Sequence, residues 1–226
     1  MKTSYFFFLL FFQGNLLLAQ TWTGATSTDW NTPANWSTGT VPVGTGNVII
    51  PGTVSIYPVF STPVTINSIQ MLSGSRLDVN GYSLVLTGTS AGTNFTGAVL
   101  NNSNAATDIN INLNTGNAGF VSYFRSNVVN DNIIFNITGV NSFREGDIAP
   151  ANQYNGNVSF NIAGSLSCLI SQSTTSVFNG NLTINRTAAG STSAFNGGYL
   201  IKELGYIWLI EALVIHVDFV VQIIVY

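Results

Sequence analysis

Apolar and polar residues alternate along this chain in short runs, and the runs recur. Ile109, Ile111 and Leu113 alternate with Asn110 and Asn112, and the pattern returns at Ile133–Ile137, Val158–Ile162 and Leu182–Arg186. A period of two predicts half-buried strands. One position of each run is always Asn: Asn112, Asn136, Asn161 and Asn185 follow at spacings of 24, 25 and 24 residues. A fixed period in the low twenties predicts one small unit stacked on copies of itself. Each unit is too small to bury its apolar face alone, so its neighbours supply the core.

Earlier runs at 48–50, 64–69, 76–79 and 83–86 are split by Pro51, Gly52, Gly74, Asn80, Gly81 and Gly88, residues suited to turns. Nothing between residues 21 and 199 shows a helical period. The prediction is an all-β fold, a right-handed parallel β-helix of about six rungs over residues 48–199, rising about 29 Å at ~4.8 Å per rung. A β-sandwich is the alternative; it accounts for the turns but not for four Asn in register. On the strands, the Asn lie opposite the apolar positions. Their expected role is a structural ladder, with amides hydrogen-bonded from rung to rung. Arg186 interrupts the apolar series, as expected where the core opens or the register changes.

The segment before the repeat is different. Residues 20–47 carry Trp22, Trp30 and Trp36 among Gly and Pro. Such a segment suits a cap over the open end of a solenoid. The three rings could also form a sugar-stacking platform. Upstream, Lys2 precedes an apolar run that ends at Ala19, which predicts a secretory signal peptide over residues 1–19. Beyond Leu200 the polar language stops. The tail, residues 200–226, contains no Asn, Ser, Thr or Pro, and carries Glu211, His216 and Asp218, which disfavour a membrane span. This apolar tail reads as out of frame or past a truncation, and the chain as a fragment of a longer protein. Membrane contact is expected only if the tail is genuine.

Composition narrows the chemistry. Charged residues make up 7% of the chain and the net charge is −3, so no basic surface is available for nucleic acid. Between Gln20 and Leu200 there is no Lys and no His, which leaves no base for a nucleophilic triad and no ligand set for zinc. Cys168, the one cysteine, lies in an apolar context and reads as a small buried hydrophobe. The closest carboxylates in sequence are Glu145 and Asp147. If both lie on one strand they share a face, and with backbone oxygens they could hold Ca²⁺; a turn with solvated charges is the other reading. Asp108 and Asp131 fall near equivalent rung positions. No catalytic residue and no other cofactor is expected.

Trp22, Gly24, then Asp29, Trp30, Asn35, Trp36, then Val41, Pro42 and a strand ending in Pro51 resemble a recurrent start of large secreted proteins of the Bacteroidetes. The pattern there is Trp-x-Gly, Asp-Trp-x-x-x-x-Asn-Trp, Val-Pro, opening a parallel β-helix rich in Asn, Thr and Gly. The resemblance implies an adhesin-like, repeat-bearing protein, secreted or on the outer cell surface, and brings no catalytic motif. No carboxy-terminal sorting domain is recognisable in this chain. The expected function is a non-catalytic structural or adhesin-like β-solenoid whose partners are extracellular polysaccharide or a host or cell surface. The alternative is a carbohydrate-binding or carbohydrate-active β-helix with Trp22, Trp30, Trp36, Glu145 and Asp147 as its first candidates.

Overall fold

A computed structural model describes residues 19–88, 93–114, 121–139, 142–164, 167–187, 191–194, 199–201 and 207–211. Every strand pairing in it is parallel, and the strands form three sheets of eight, six and seven strands. The chain visits the sheets in turn. Ser68–Met71 lies in sheet one, Arg76–Asp78 in sheet two and Leu84–Leu86 in sheet three. The next rung repeats the circuit with Asn94–Thr96, Val99–Asn101 and Ile109–Leu113. Connections that return each strand beside its predecessor, one circuit later, make a β-solenoid. This is the predicted all-β class. The sandwich is excluded, because its antiparallel sheets are absent among the described residues.

Sheet three shows why the sequence folds this way. Ile133–Ile137 pairs with Ile109–Leu113 on one side and Val158–Ile162 on the other, residue for residue. All three strands bury their first, third and fifth residues. Apolar side chains therefore stack in columns inside the solenoid. Phe135 and Phe160 lie parallel at 5.0 Å, and Tyr154 and Phe178 do the same on sheet two. Stacked rings add about 0.5–1.5 kcal/mol to what their burial contributes.

Two details depart from the sequence reading. The run expected at 64–69 bends at Asn67 into Val64–Ile66 on sheet three and Ser68–Met71 on sheet one. Asn67 is fully buried at that corner, and its Nδ2 donates to Asn47 Oδ1 at 2.5 Å. At Arg186 the register does not change, since Leu182–Arg186 pairs in step with Val158–Ile162 and then with Ile207–Glu211; the other expected reading, an opening core, fits its being half-buried where Leu113, Ile137 and Ile162 are buried.

The expected signal segment, up to residue 18, lies outside the described residues. Of the apolar tail, strands through residues 200–201 and 207–211 are described; they belong to Tyr199–Ile201 on sheet two and Ile207–Glu211 on sheet three. Among the described residues no helix is long and apolar enough to cross a membrane. The helix that is described there is one short 3-10 turn, Pro33–Asn35.

Candidate functional site

Trp22, Trp30 and Trp36 are at most 3% exposed, so they present no sugar-stacking face. They pack on one another: Trp22 meets Trp36 edge-on at 5.1 Å, Trp30 meets Trp36 at 4.6 Å and Phe60 at 4.9 Å. Two of the indoles donate to backbone carbonyls, Trp22 Nε1 to Ile56 O at 2.7 Å and Trp36 Nε1 to Trp30 O at 2.8 Å. The cluster covers the amino-terminal end of the core. It is continuous with the solenoid, because Gln20–Thr21 pairs with Asn47–Ile50 and Asp29 bridges to Val59.

The spacing of the tryptophan motif has a physical cause. Asn35 is fully buried; its Oδ1 accepts from Thr26 N, Thr26 Oγ1 and Ser27 N, and its Nδ2 donates to Ser27 Oγ and Asp29 O. One amide thus fixes the loop that positions Trp30. Gly24 has φ +61°, and a Cβ there would lie 2.3 Å from Ile56 O, where only Gly fits. Asp29 accepts from Ser61 Oγ, Asn31 N and Thr32 Oγ1, and these donors, Ser61 first, hold its carboxyl below the usual range.

Glu145 and Asp147 do not share a face. Ser142–Glu145 ends at Glu145, and Gly146 at φ +66° turns the chain. Glu145 points into the solenoid and is 0% exposed. Its column on sheet one is otherwise apolar: Met71, Phe95 and Phe124 lie below it in register. Its Oε1 accepts from Asn152 Nδ2 at 2.5 Å, Ser176 Oγ at 2.6 Å and Tyr154 OH at 3.1 Å, and its Oε2 from Ser171 N at 2.6 Å. Burial pushes the carboxyl above its ordinary value, while these donors, led by Ser176, pull the other way. Asp147 lies outside and holds Arg125 in a two-pronged ion pair at 2.6 and 2.7 Å. Among the described residues no three groups of metal-binding type converge. Asp108 and Asp131 are one residue out of register: Asp108 accepts from Asn132 Nδ2, and Asp131 Oδ1 accepts from Asn132 N. Cys168 is buried, and its thiol is pushed up to about 12, first by burial.

The outer faces carry amide ladders. On sheet three Asn136 Nδ2 donates to Asn112 Oδ1, Asn161 to Asn136 and Asn185 to Asn161, at 2.9, 2.9 and 2.8 Å. Where sheet two turns towards sheet three, Asn130 donates to Asn101, Asn155 to Asn130 and Asn179 to Asn155, at 2.8, 2.9 and 2.9 Å. Each interior amide donates to one neighbour and accepts from the other, a rung-to-rung linkage that suits a scaffold.

Sheet one is the exception. Its outward positions at Val121–Arg125 and Ser142–Glu145 are Tyr123, Arg125 and Arg144, with Tyr123 and Arg144 paired across the rungs. The Arg125 guanidinium stacks on the Tyr123 ring at 3.5 Å from its centroid, and that of Arg144 stands 5.9 Å away. Arg144 Nε is shielded from solvent and meets no acceptor. Sequence reasoning missed this cluster, because its members come together only through the register of successive rungs.

No curated protein and no solved structure matches the chain significantly. A family comparison matches residues 21–207 to a domain of unknown function, DUF8693. The matched span starts at the Trp cap and takes in the amide ladders and the Tyr123 face, and on it the chain belongs to this family.

Proposed function

We propose that the chain is a non-catalytic structural module of a secreted or cell-surface protein, a rigid polar stalk of adhesin-like type. The observation that carries this reading is how the carboxylates of the body are used. Glu145 is tied to four donors inside the core, Asp29 caps a loop, and Asp147 neutralises Arg125. General acid–base work needs a carboxylate free to reach substrate, and these three are committed to the fold. The run of hydrogen-bonded amides along two faces supports the stalk reading, since such ladders stiffen one axis. The amino-terminal apolar segment supports export.

Antibody labelling and external proteinase treatment of intact producing cells test the location. Labelling at the outer surface or recovery from the medium is expected; retention inside the cell overturns it. Incubation with a panel of polysaccharides tests the rest. Turnover that disappears in both Glu145→Gln and Asp147→Asn would replace this reading with a carbohydrate-active one.

A further inference from the structure

We propose that the outward face of sheet one at Tyr123, Arg125 and Arg144 is a binding site for the carboxylate of an acidic polysaccharide. The inference rests on this geometry and is independent of where the protein resides. The two arginines stand on adjacent rungs but in different states. Arg125 is balanced by Asp147 through two hydrogen bonds. Arg144 makes no ion pair among the described residues, and its Nε is a shielded donor with no acceptor. Leaving a shielded donor unmade is unfavourable, and a planar guanidinium is shaped for two-pronged binding of an oxyanion. The free charge at this face is therefore one positive unit. That matches a monoanionic carboxylate. The nearest carboxylate in sequence, Glu145, faces inward and is satisfied there.

The surroundings select a sugar as the carrier of that carboxylate. The Tyr123 ring is half-buried beside Arg144. The rungs below present Asn94 and Gln70 in the same outward column, with Thr96 donating to Asn94 Oδ1 at 2.6 Å. Neutral amides and hydroxyls repeated at rung spacing can bond sugar hydroxyls along an extended chain. The overall charge of −3 gives the protein no general attraction for polyanions, so binding has to come from this local site.

Affinity electrophoresis of the full chain in gels containing polygalacturonate, dextran or poly-L-glutamate provides the test. Retardation by polygalacturonate alone is expected. Arg144→Gln should weaken it at least about tenfold, the range for a charge-assisted pair. Arg144→Lys, which keeps the charge and loses the fork, should fall between. Arg76→Gln, at an exposed arginine on sheet two, should bind as the unmodified chain does. Absence of retardation by polygalacturonate overturns the proposal. So does equal weakening by Arg76→Gln, or unchanged binding in both Arg144 variants. Equal retardation by poly-L-glutamate overturns the assignment to a sugar, and retardation by dextran overturns the role of the carboxylate.

Discussion

Sheet three and sheet one are built from the same repeating circuit, yet they use it differently. On sheet three the inward columns are wholly apolar from Ile109 to Ile184, and one of the two outward columns is Asn on four successive rungs. On sheet one the inward columns take in Thr93, Ser122 and Glu145, and the outward positions hold Tyr123, Arg125 and Arg144. The same backbone thus carries a regular face whose amides satisfy one another up to the last described ladder member, where Asn185 Oδ1 has no partner, and an irregular face with unpartnered groups along its length. Thr93 Oγ1 and Ser122 Oγ find no partner, and neither does Arg144 Nε. Regularity marks the scaffold; unspent polar chemistry marks where a ligand has something to bind.

The largest effect should come from breaking sheet three. Phe160→Ala removes a ring stacked against Phe135 in a closed column, and a loss of about 3–5 kcal/mol is expected in urea unfolding. Next comes the buried carboxyl group inside sheet one. Glu145→Ala strands four donors, and a loss of about 3 kcal/mol is expected. Glu145→Gln should cost less. The pH dependence has a definite sign. A carboxyl whose pKa rises on folding stabilises the fold fully below its unfolded value, and that contribution is lost as pH rises through the folded value. Taking 4.5 as the unfolded value, the Glu145 contribution should fall as pH is raised from there through the elevated pKa. Thermal unfolding across that window should show the slope in the unmodified chain and not in Glu145→Gln.

Smaller effects sharpen the comparison. Asn136→Ala removes an acceptor and a donor from the middle of the ladder, and about 1–2 kcal/mol should be lost for two partly exposed bonds. On sheet one the sign reverses. Thr93→Val replaces a buried hydroxyl that has no partner, and a gain of about 1 kcal/mol is expected. If Thr93→Val destabilises the chain, the contrast between the two faces fails.

The regular half of the molecule was legible in the sequence, because a column that repeats one residue type in phase announces its own register. Asn112, Asn136, Asn161 and Asn185 needed only counting. The irregular half was legible in part. Phe143 and Glu145 share a strand parity, so an inward Glu145 was readable from its neighbour, whereas the same-face reading with Asp147 assumed a strand that Gly146 ends. The ion pair of Arg125 with Asp147 spans 22 residues, and the approach of Arg144 to Tyr123 depends on which residues face each other across rungs. Loop lengths between those strands vary, so no fixed period predicts these pairs. The bend at Asn67 was hidden for a similar reason. A corner filled by one buried amide looks, in sequence, like the continuation of a strand.

The stacking of rungs in register is the claim on which both faces depend, and spin labels measure it directly. Thr65, Val85, Asn112, Asn136, Asn161 and Asn185 form one outward column of sheet three. In a Cys168→Ala background, labels placed at Thr65 and in turn at Asn136, Asn161 and Asn185 should lie three, four and five rungs apart, so distances of about 14, 19 and 24 Å are expected at ~4.8 Å per rung. Distances that fail to grow by a constant step along this series would contradict the solenoid and, with it, the assignment of the two faces.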